Sequence, residues 1–306
     1  AVAHLVDRLE REIVAELVAA VVGRPQLAGT GMPDKADRVA QAAHEHAAVG
    51  AVGVVDRDRG AALVGLLADV AARTNRDEEL AVVPGDADTG RAFAALPFDH
   101  LFFTGSTAVG RMVAQAAAKN LTPVTLELGG KSPVIVDADA DVSLAAAKCA
   151  ANAFSFAGQS CISVQRIFVH EDVYDAFRDA LVPLVDALVV GDPADEATDV
   201  GPLIAPSERE RVLEWIEEAR AGGATVLTGG VVESDLLRPT VVEAPPPEGR
   251  LACDEVFGPV CTLQRFATLD DAVDLANSTR YGLQAGIFTS DVGRALSAAS
   301  RLEFGG

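Results

Sequence analysis

Leu101-Phe102-Phe103-Thr104-Gly105-Ser106-Thr107-Ala108-Val109-Gly110 is the stretch on which the fold turns. Its apolar start predicts a buried strand, Gly105-Ser106 a tight turn, and the pattern from Ala108 to Lys119 a helix. Strand, turn and helix in direct succession make half of a βαβ unit. Such a turn presents N–H groups and the positive end of the helix dipole, which suits a pyrophosphate. Two better-known phosphate loops are excluded. Arg111-Met112 stand where a Walker A loop needs Lys-Ser/Thr, and the glycine spacing is not G-x-G-x-x-G. Taken alone, the turn is better explained as an ordinary capped helix.

The alternation continues on both sides. Upstream, Val52–Val55 and Leu80–Val83 predict strands, Pro84-Gly85 closes the second, and Ala61–Arg73 and Thr89–Leu96 predict helices. His4–Val22 and Asp34–Ala48 carry helical periodicity, so residues 1–50 read as helix-rich. Downstream, strand Val124–Leu128 runs into Gly129-Gly130, a natural hinge. Strand Pro133–Val136, helix Val142–Phe154, strand Ile167–His170 and helix Val173–Val189 follow. Helix Ser207–Ala221, strand Thr225–Leu227, helix Leu269–Asn277, strand Gly282–Thr289 and helix Val292–Leu302 complete the pattern. This rhythm predicts an α/β fold with parallel sheets. The length of 306 residues predicts two domains, divided near residue 130.

Composition narrows the function. The net charge of −20 opposes nucleic acid and anionic membrane surfaces, which attract Lys- and Arg-rich proteins. Hydrophobic residues make up 49%, enough for a buried core. No apolar run approaches the ~18 residues of a membrane span. Cys149, Cys161, Cys253 and Cys261 form no CxxC pair and suggest no disulfide framework. No metal site is therefore expected, and a reducing, cytoplasmic setting is. Asp137-Ala138-Asp139-Ala140-Asp141 imitates a calcium loop, but Val142 replaces the required Gly and Lys148 the closing Glu. A solvated acidic turn is expected there instead.

Two further stretches carry chemistry. In Thr125-Leu126-Glu127-Leu128-Gly129-Gly130-Lys131, a carboxylate ends an apolar strand. If buried, its raised pKa would suit a general base; if on an edge, it faces solvent. In Phe156-Ala157-Gly158-Gln159-Ser160-Cys161-Ile162-Ser163, a cysteine sits in a Gly/Ser loop after an apolar helix. Backbone N–H groups there could lower its pKa and expose it as a nucleophile, although a lone cysteine is more often an inert small hydrophobe.

Together the three motifs resemble the aldehyde dehydrogenase superfamily, whose members show Phe-Thr-Gly-Ser-Thr, Glu-Leu-Gly-Gly-Lys and Gly-Gln-x-Cys in this order. Asp254-Glu255-Val256-Phe257-Gly258-Pro259-Val260 is similar to the family's Glu-x-Phe-Gly-Pro segment, and Tyr281-Gly282-Leu283 continues the match. The resemblance runs from about Val82 to Gly306, and weakly back to Ala51. It implies a Rossmann-like, parallel-sheet cofactor domain over residues 1–130 and an α/β catalytic domain over 131–306. The implied reaction oxidises a small aldehyde to a carboxylic acid with NAD or NADP. Cys161 would attack the aldehyde, and Glu127 would activate the water that hydrolyses the thioester. Gly105 and Ser106 would hold the pyrophosphate, with Gly85 near the nucleotide. Glu255 would bind the nicotinamide ribose and Phe257 would pack near the nicotinamide. Arg166 reads as structural, and homo-oligomers are expected of the full-length family.

Against the family pattern the chain reads as shortened at both ends. Residues 1–50 contain no Asn to complete an oxyanion hole. Asp56-Arg57-Asp58-Arg59 stand where the family has Lys-Pro-Ser/Ala-Glu, and the chain ends at Gly305-Gly306 ahead of the family's final strand. Impaired activity and weak cofactor binding are the expectation. Two alternatives stay open: a cofactor-independent thiol esterase, and an inactive nucleotide-binding remnant. Leu121-Thr122-Pro123-Val124-Thr125 resembles the coniferyl- and fatty-aldehyde branch. Gly158–Ser163 and Asp199–Leu203 resemble lactaldehyde and succinate-semialdehyde enzymes, so the substrate stays open too.

Overall fold

A computed structural model of the chain describes residues 18–22, 50–56 and 81–306. These form two compact units that divide between Leu128 and Gly129. The helices expected over Asp34–Ala48 and Ala61–Arg73, and the Arg57-Asp58-Arg59 segment, lie outside the described residues.

The unit ending at Leu128 is built on β1 (Val18–Val22), β2 (Gly50–Asp56), β3 (Ala81–Gly85), β4 (Leu101–Gly105) and β5 (Val124–Leu128). Their order is β3-β2-β1-β4-β5. β2 pairs with β3 and β4 with β5 in parallel, whereas β1 runs antiparallel to both β2 and β4. Two expectations are corrected here. The helix read from His4 to Val22 ends as a strand, and the sheet is mixed rather than wholly parallel. Val18, Val21 and Val22 are β-branched, which restricts them in a helix and suits a pleated surface. β2 pairs along all of β1 and β4 pairs at Val18 and Ala19, which gives its backbone groups partners as a strand.

Helices α1 (Ala87–Ala94) and α2 (Thr107–Ala118) follow β3 and β4. Phe93, Phe98, Leu101, Phe103 and Val113 bury together as this unit's core. Because β2, β3, β4 and β5 all point one way, Gly85, Gly105, Ser106 and Glu127 gather at the carboxyl edge of one sheet. In open α/β sheets that edge is where ligands bind.

The second unit, residues 129–306, contains β6 (Ser132–Val136), β7 (Val164–His170), β8 (Thr225–Thr228), β9 (Val232–Glu233), β10 (Leu236–Leu237), β11 (Thr240–Glu243), β12 (Val260–Phe266) and β13 (Gly286–Phe288). Its six-stranded sheet runs β13-β6-β7-β12-β11-β8, parallel except for β8, and β9 and β10 form a separate ribbon. The helices are α3 (Val142–Phe154), α4 (Tyr174–Asp186), α5 (Pro206–Ala221), α6 (Arg250–Cys253), α7 (Leu269–Asn277) and α8 (Val292–Arg301).

Strand β6 is buried along its whole length, as a strand covered on both faces should be. Val134 and Val136 join Cys149, Phe154, Phe177 and Leu181 on one face. Ile135 joins Phe168, Phe266, Val273, Ala276 and Ala298 on the other.

Two local readings change in this unit. The strand expected over Gly282–Thr289 contracts to β13, because Gly282, Leu283 and Ala285 bond to Gly305 and Gly306 instead. The acidic turn is not simply solvated. Asp137 is buried and paired with Arg294, Asp139 accepts from the Thr289 and Ser290 hydroxyls, and Asp141 caps α3.

Candidate active site

The Gly-Ser turn that opens α2 has the expected cap. Ser106 is extended, and its hydroxyl accepts from the Val109 N–H at 3.3 Å. The Thr107 and Ala108 N–H groups can have no partner within the helix. Gly105 is required sterically, since an added Cβ would sit 2.5 Å from the Phe103 ring. Gly110 lets α2 lie against β5, because a Cβ there would approach Leu128 to 2.6 Å. At the end of β3, Gly85 leaves room for the Thr89 side chain, and the Thr89 backbone N–H donates to Asp86 Oδ1 at 3.0 Å.

Glu127 lies opposite Thr104 on β5, at the same carboxyl edge. It is exposed, the edge-strand outcome of the two that the sequence left open. β5 is an edge strand, and alternation turns this side chain outward.

In the second unit the candidate residues lie at the opposite end, on the loops before β6, β7 and β12. Phe154 closes α3, and a short turn over Ser155–Gly158 then throws the chain into left-handed backbone. Phe156, Ala157 and Gly158 have φ of 53°, 56° and 69°. Non-glycine residues adopt this region at a cost, and such runs concentrate at functional loops. Gly158 packs so closely on Gly258 that a Cβ would overlap its carbonyl oxygen.

Gln159 is buried and ties the loop down. Its oxygen accepts from the Ile204 N–H at 2.8 Å, and its amide donates to the Phe156 carbonyl at 3.1 Å. Ser163 bonds to the Ala153 carbonyl at 3.1 Å. Between these anchors Cys161 is half-buried, and Ile162 beside it is exposed.

Gly129-Gly130 serve as the meeting point. A Cβ on Gly129 would overlap the Glu255 carboxylate, and one on Gly130 would overlap the Cys161 carbonyl oxygen. The Gly130 N–H donates to Glu255 Oε1 at 3.0 Å. Burial raises the Glu255 pKa, while that N–H, Lys131 and Arg211 pull it back. Phe257, half-buried, has φ of 44° and follows directly in the same segment.

Sequence reading missed two buried polar groups here. Lys131 is 1% exposed and donates to Gln165 Oε1 at 3.1 Å. Gln165, also buried, donates to the Gly130 carbonyl at 3.0 Å and accepts from the Val256 N–H at 2.9 Å. Arg166 was noticed and read as structural, and it donates to the carbonyls of Lys131, Leu275 and Ala276. Gln165 and Arg166 also explain why β7 starts earlier than its apolar run. Polar residues hid the strand's first turn of the ladder. Among the described residues, no group of three or more His, Cys, Asp or Glu could hold a metal ion.

Lys131 makes a pH prediction. Burial, reinforced by Arg166, lowers its pKa to about 7. An unfolded lysine titrates near ~10.4, so between these values the unfolded chain binds more protons and stability rises with pH. Lys131→Met removes the cost of burying the charge. The variant should be more stable at pH 6 by on the order of 5 kcal/mol, with the gap closing near pH ~10. Calorimetric melting at both pH values checks this, and a constant gap would refute it. Burial also raises the thiols of Cys149 and Cys261, but that affects both proteins alike.

The fold and these sites define a two-unit α/β protein, with glycine-tied loops at a sheet edge in each unit. Residues 38–306 match the model of the aldehyde dehydrogenase family. An aldehyde-dehydrogenase-like protein of Sinorhizobium fredii is 43% identical over 231 residues, 75% of this chain and 45% of that protein. A betaine aldehyde dehydrogenase of Rhizobium johnstonii is 39% identical over 231 residues, 73% of this chain and 47% of that protein. The crystal structure of a Mycobacterium tuberculosis aldehyde dehydrogenase complexed with NAD+ superposes with a TM-score of 0.77 at 33% identity. It covers 83% of this chain and 53% of that one. The chain belongs to the aldehyde dehydrogenase family, and it spans about half the length of these relatives.

Proposed function

We propose that this chain carries the thiol chemistry of an NAD(P)-dependent aldehyde dehydrogenase, oxidising a small aldehyde to a carboxylic acid. The observation that carries the reading is the Gly129-Gly130 junction, which holds the Glu255 carboxylate and the Cys161 loop together. On this reading residues 1–130 bind the cofactor and residues 131–306 carry the nucleophile. The cofactor suits the residues present. Ser106 opens α2 at the carboxyl edge of the sheet, where the first N–H groups of the helix have no partner within it and suit an anion. Gly105 and Ser106 would hold the pyrophosphate, Gly85 would lie near the nucleotide, and Glu255 and Phe257 would meet the nicotinamide riboside. The cofactor, when bound, supplies the hydride acceptor.

The chain's own residues do the rest. The Cys161 sulfur bonds to the aldehyde carbon and later carries the acyl group as a thioester. Glu127, exposed at its sheet edge, takes a proton from the water that cleaves this thioester. A cytoplasmic setting keeps the thiol reduced, and homo-oligomers are the assembly of this class.

Aldehyde-dependent NADH formation tests the reading, with a panel of short-chain aldehydes. p-Nitrophenyl acetate turnover without NAD(P) would instead favour the esterase alternative. Glu127→Gln is expected to leave a rapid burst of NADH while slowing steady turnover by about 10²-fold. Equal loss in both phases, read by rapid quench, would remove Glu127 from the deacylation step.

A further inference from the structure

We propose that Lys131 is a positioning residue for the Glu255 carboxylate, acting through the Gln165 amide and the Gly130 N–H. This rests on the aldehyde dehydrogenase reading only for the role of Glu255 toward the cofactor.

The path is continuous and short. Lys131 Nζ donates to Gln165 Oε1 at 3.1 Å, and the Val256 N–H takes the other face of that oxygen at 2.9 Å. Gln165 Nε2 donates to the Gly130 carbonyl at 3.0 Å. The Gly130 N–H then donates to Glu255 Oε1 at 3.0 Å. One amide thus clamps Val256, the residue after Glu255, and Gly130, which binds the carboxylate itself. An amide oxygen has two lone pairs, and Lys131 occupies the one that Val256 leaves open. Arg211 holds the same loop, donating to the Val256 carbonyl at 2.8 Å.

Energetics favour a functional reason for this lysine. Among the described residues, no carboxylate forms an ion pair with Lys131. The titratable groups that act on it are Arg166 on β7, Cys253 at the end of α6, and Asp254 and Glu255 on the loop before β12. Asp254 is engaged by Arg280 at 2.9 Å. A buried ammonium without a paired carboxylate costs folding energy that an apolar side chain of the same length would save. A costly group three hydrogen bonds from the carboxylate read as ribose-binding is where site geometry and stability conflict. Its charge also favours the ionised Glu255, against the burial that opposes it.

Hydrogen exchange of the purified chain decides the proposal at the Gly130 and Val256 amides. Lys131→Met should speed exchange at both by about tenfold, while β6, β7 and β12 keep wild-type rates. Lys131→Gln, which keeps a neutral donor, should show a smaller rise and is read in the same way if the Met variant does not fold. Unchanged exchange at both amides would overturn the proposal, as would an even rise across the whole sheet. Fluorescence titration with NADH adds a second arm. Lys131→Met should weaken NADH about tenfold in the wild-type background and not at all in a Glu255→Gln background. Equal losses in both backgrounds would overturn the positioning role. If the wild-type chain binds no NADH, the enzymatic reading fails, and hydrogen exchange alone decides the role of Lys131.

Discussion

Replacing Cys161 with Ser is expected to lower aldehyde-dependent NADH formation by at least ~10³-fold, because a serine hydroxyl stays protonated at neutral pH and is a far weaker nucleophile than a thiolate. The same residue should be the first thiol to alkylate. Burial pushes Cys149 up to about 12 and Cys261 higher still. Cys253 is raised by burial, with Glu248 and Asp254 adding to it. Each unit of pKa removes a factor of ten in reactive thiolate near neutral pH, so Cys149 should label at least ~10³-fold more slowly than an ordinary exposed thiol. Cys161 is half-buried in a loop whose neighbour Ile162 is exposed, so reagent can reach it. Brief iodoacetamide treatment and peptide mapping read the order directly. Faster labelling at Cys149 or Cys253 would sink the assignment of Cys161, whatever the activity assay shows.

The second large effect is expected from Gly158→Ala. Gly158 adopts φ of 69°, where an alanine costs roughly 1–2 kcal/mol. Its new methyl would also overlap the Gly258 carbonyl oxygen, which is backbone and cannot rotate away. Forcing the two loops apart adds about 1–3 kcal/mol. A loss of ~2–5 kcal/mol should lower the melting temperature by roughly 5–15 °C in a unit of this size. The overlap separates the loop that carries Cys161 from the one that carries Glu255 and Phe257. Alkylation of Cys161 should therefore change rate in the variant while the strands keep their hydrogen-exchange protection. A melting temperature within about 1 °C of wild type would show that these loops do not pack as described.

Several features were legible in the residues themselves, and each is local. The Leu101–Gly110 stretch reads as strand, turn and helix because period-2 burial, a Gly-Ser turn and helical periodicity all lie within a few positions. The bounds read for Val142–Phe154 and Leu269–Asn277 are those of the structure, where the Asp141 and Thr268 side chains cap the two helices. The order of the motifs around Gly105, Glu127, Cys161 and Glu255 is also a property of sequence alone.

Tertiary structure decided what depends on distant partners. Val18–Val22 is a strand because β2 and β4 pair with it, which no periodicity within His4–Val22 could reveal. Glu127 is exposed because β5 ends its sheet, and strand order is not written in the strand. Gly129 must be glycine because Glu255 folds back against it, and Gly130 because Cys161 does. Lys131 is buried beside Gln165 because β6 and β7 are adjacent, although the sequence shows only a lysine after two glycines. Periodicity reports the face a residue presents to its own element. Burial, pairing and close approach are set by residues far along the chain, and they exist only once each unit has folded.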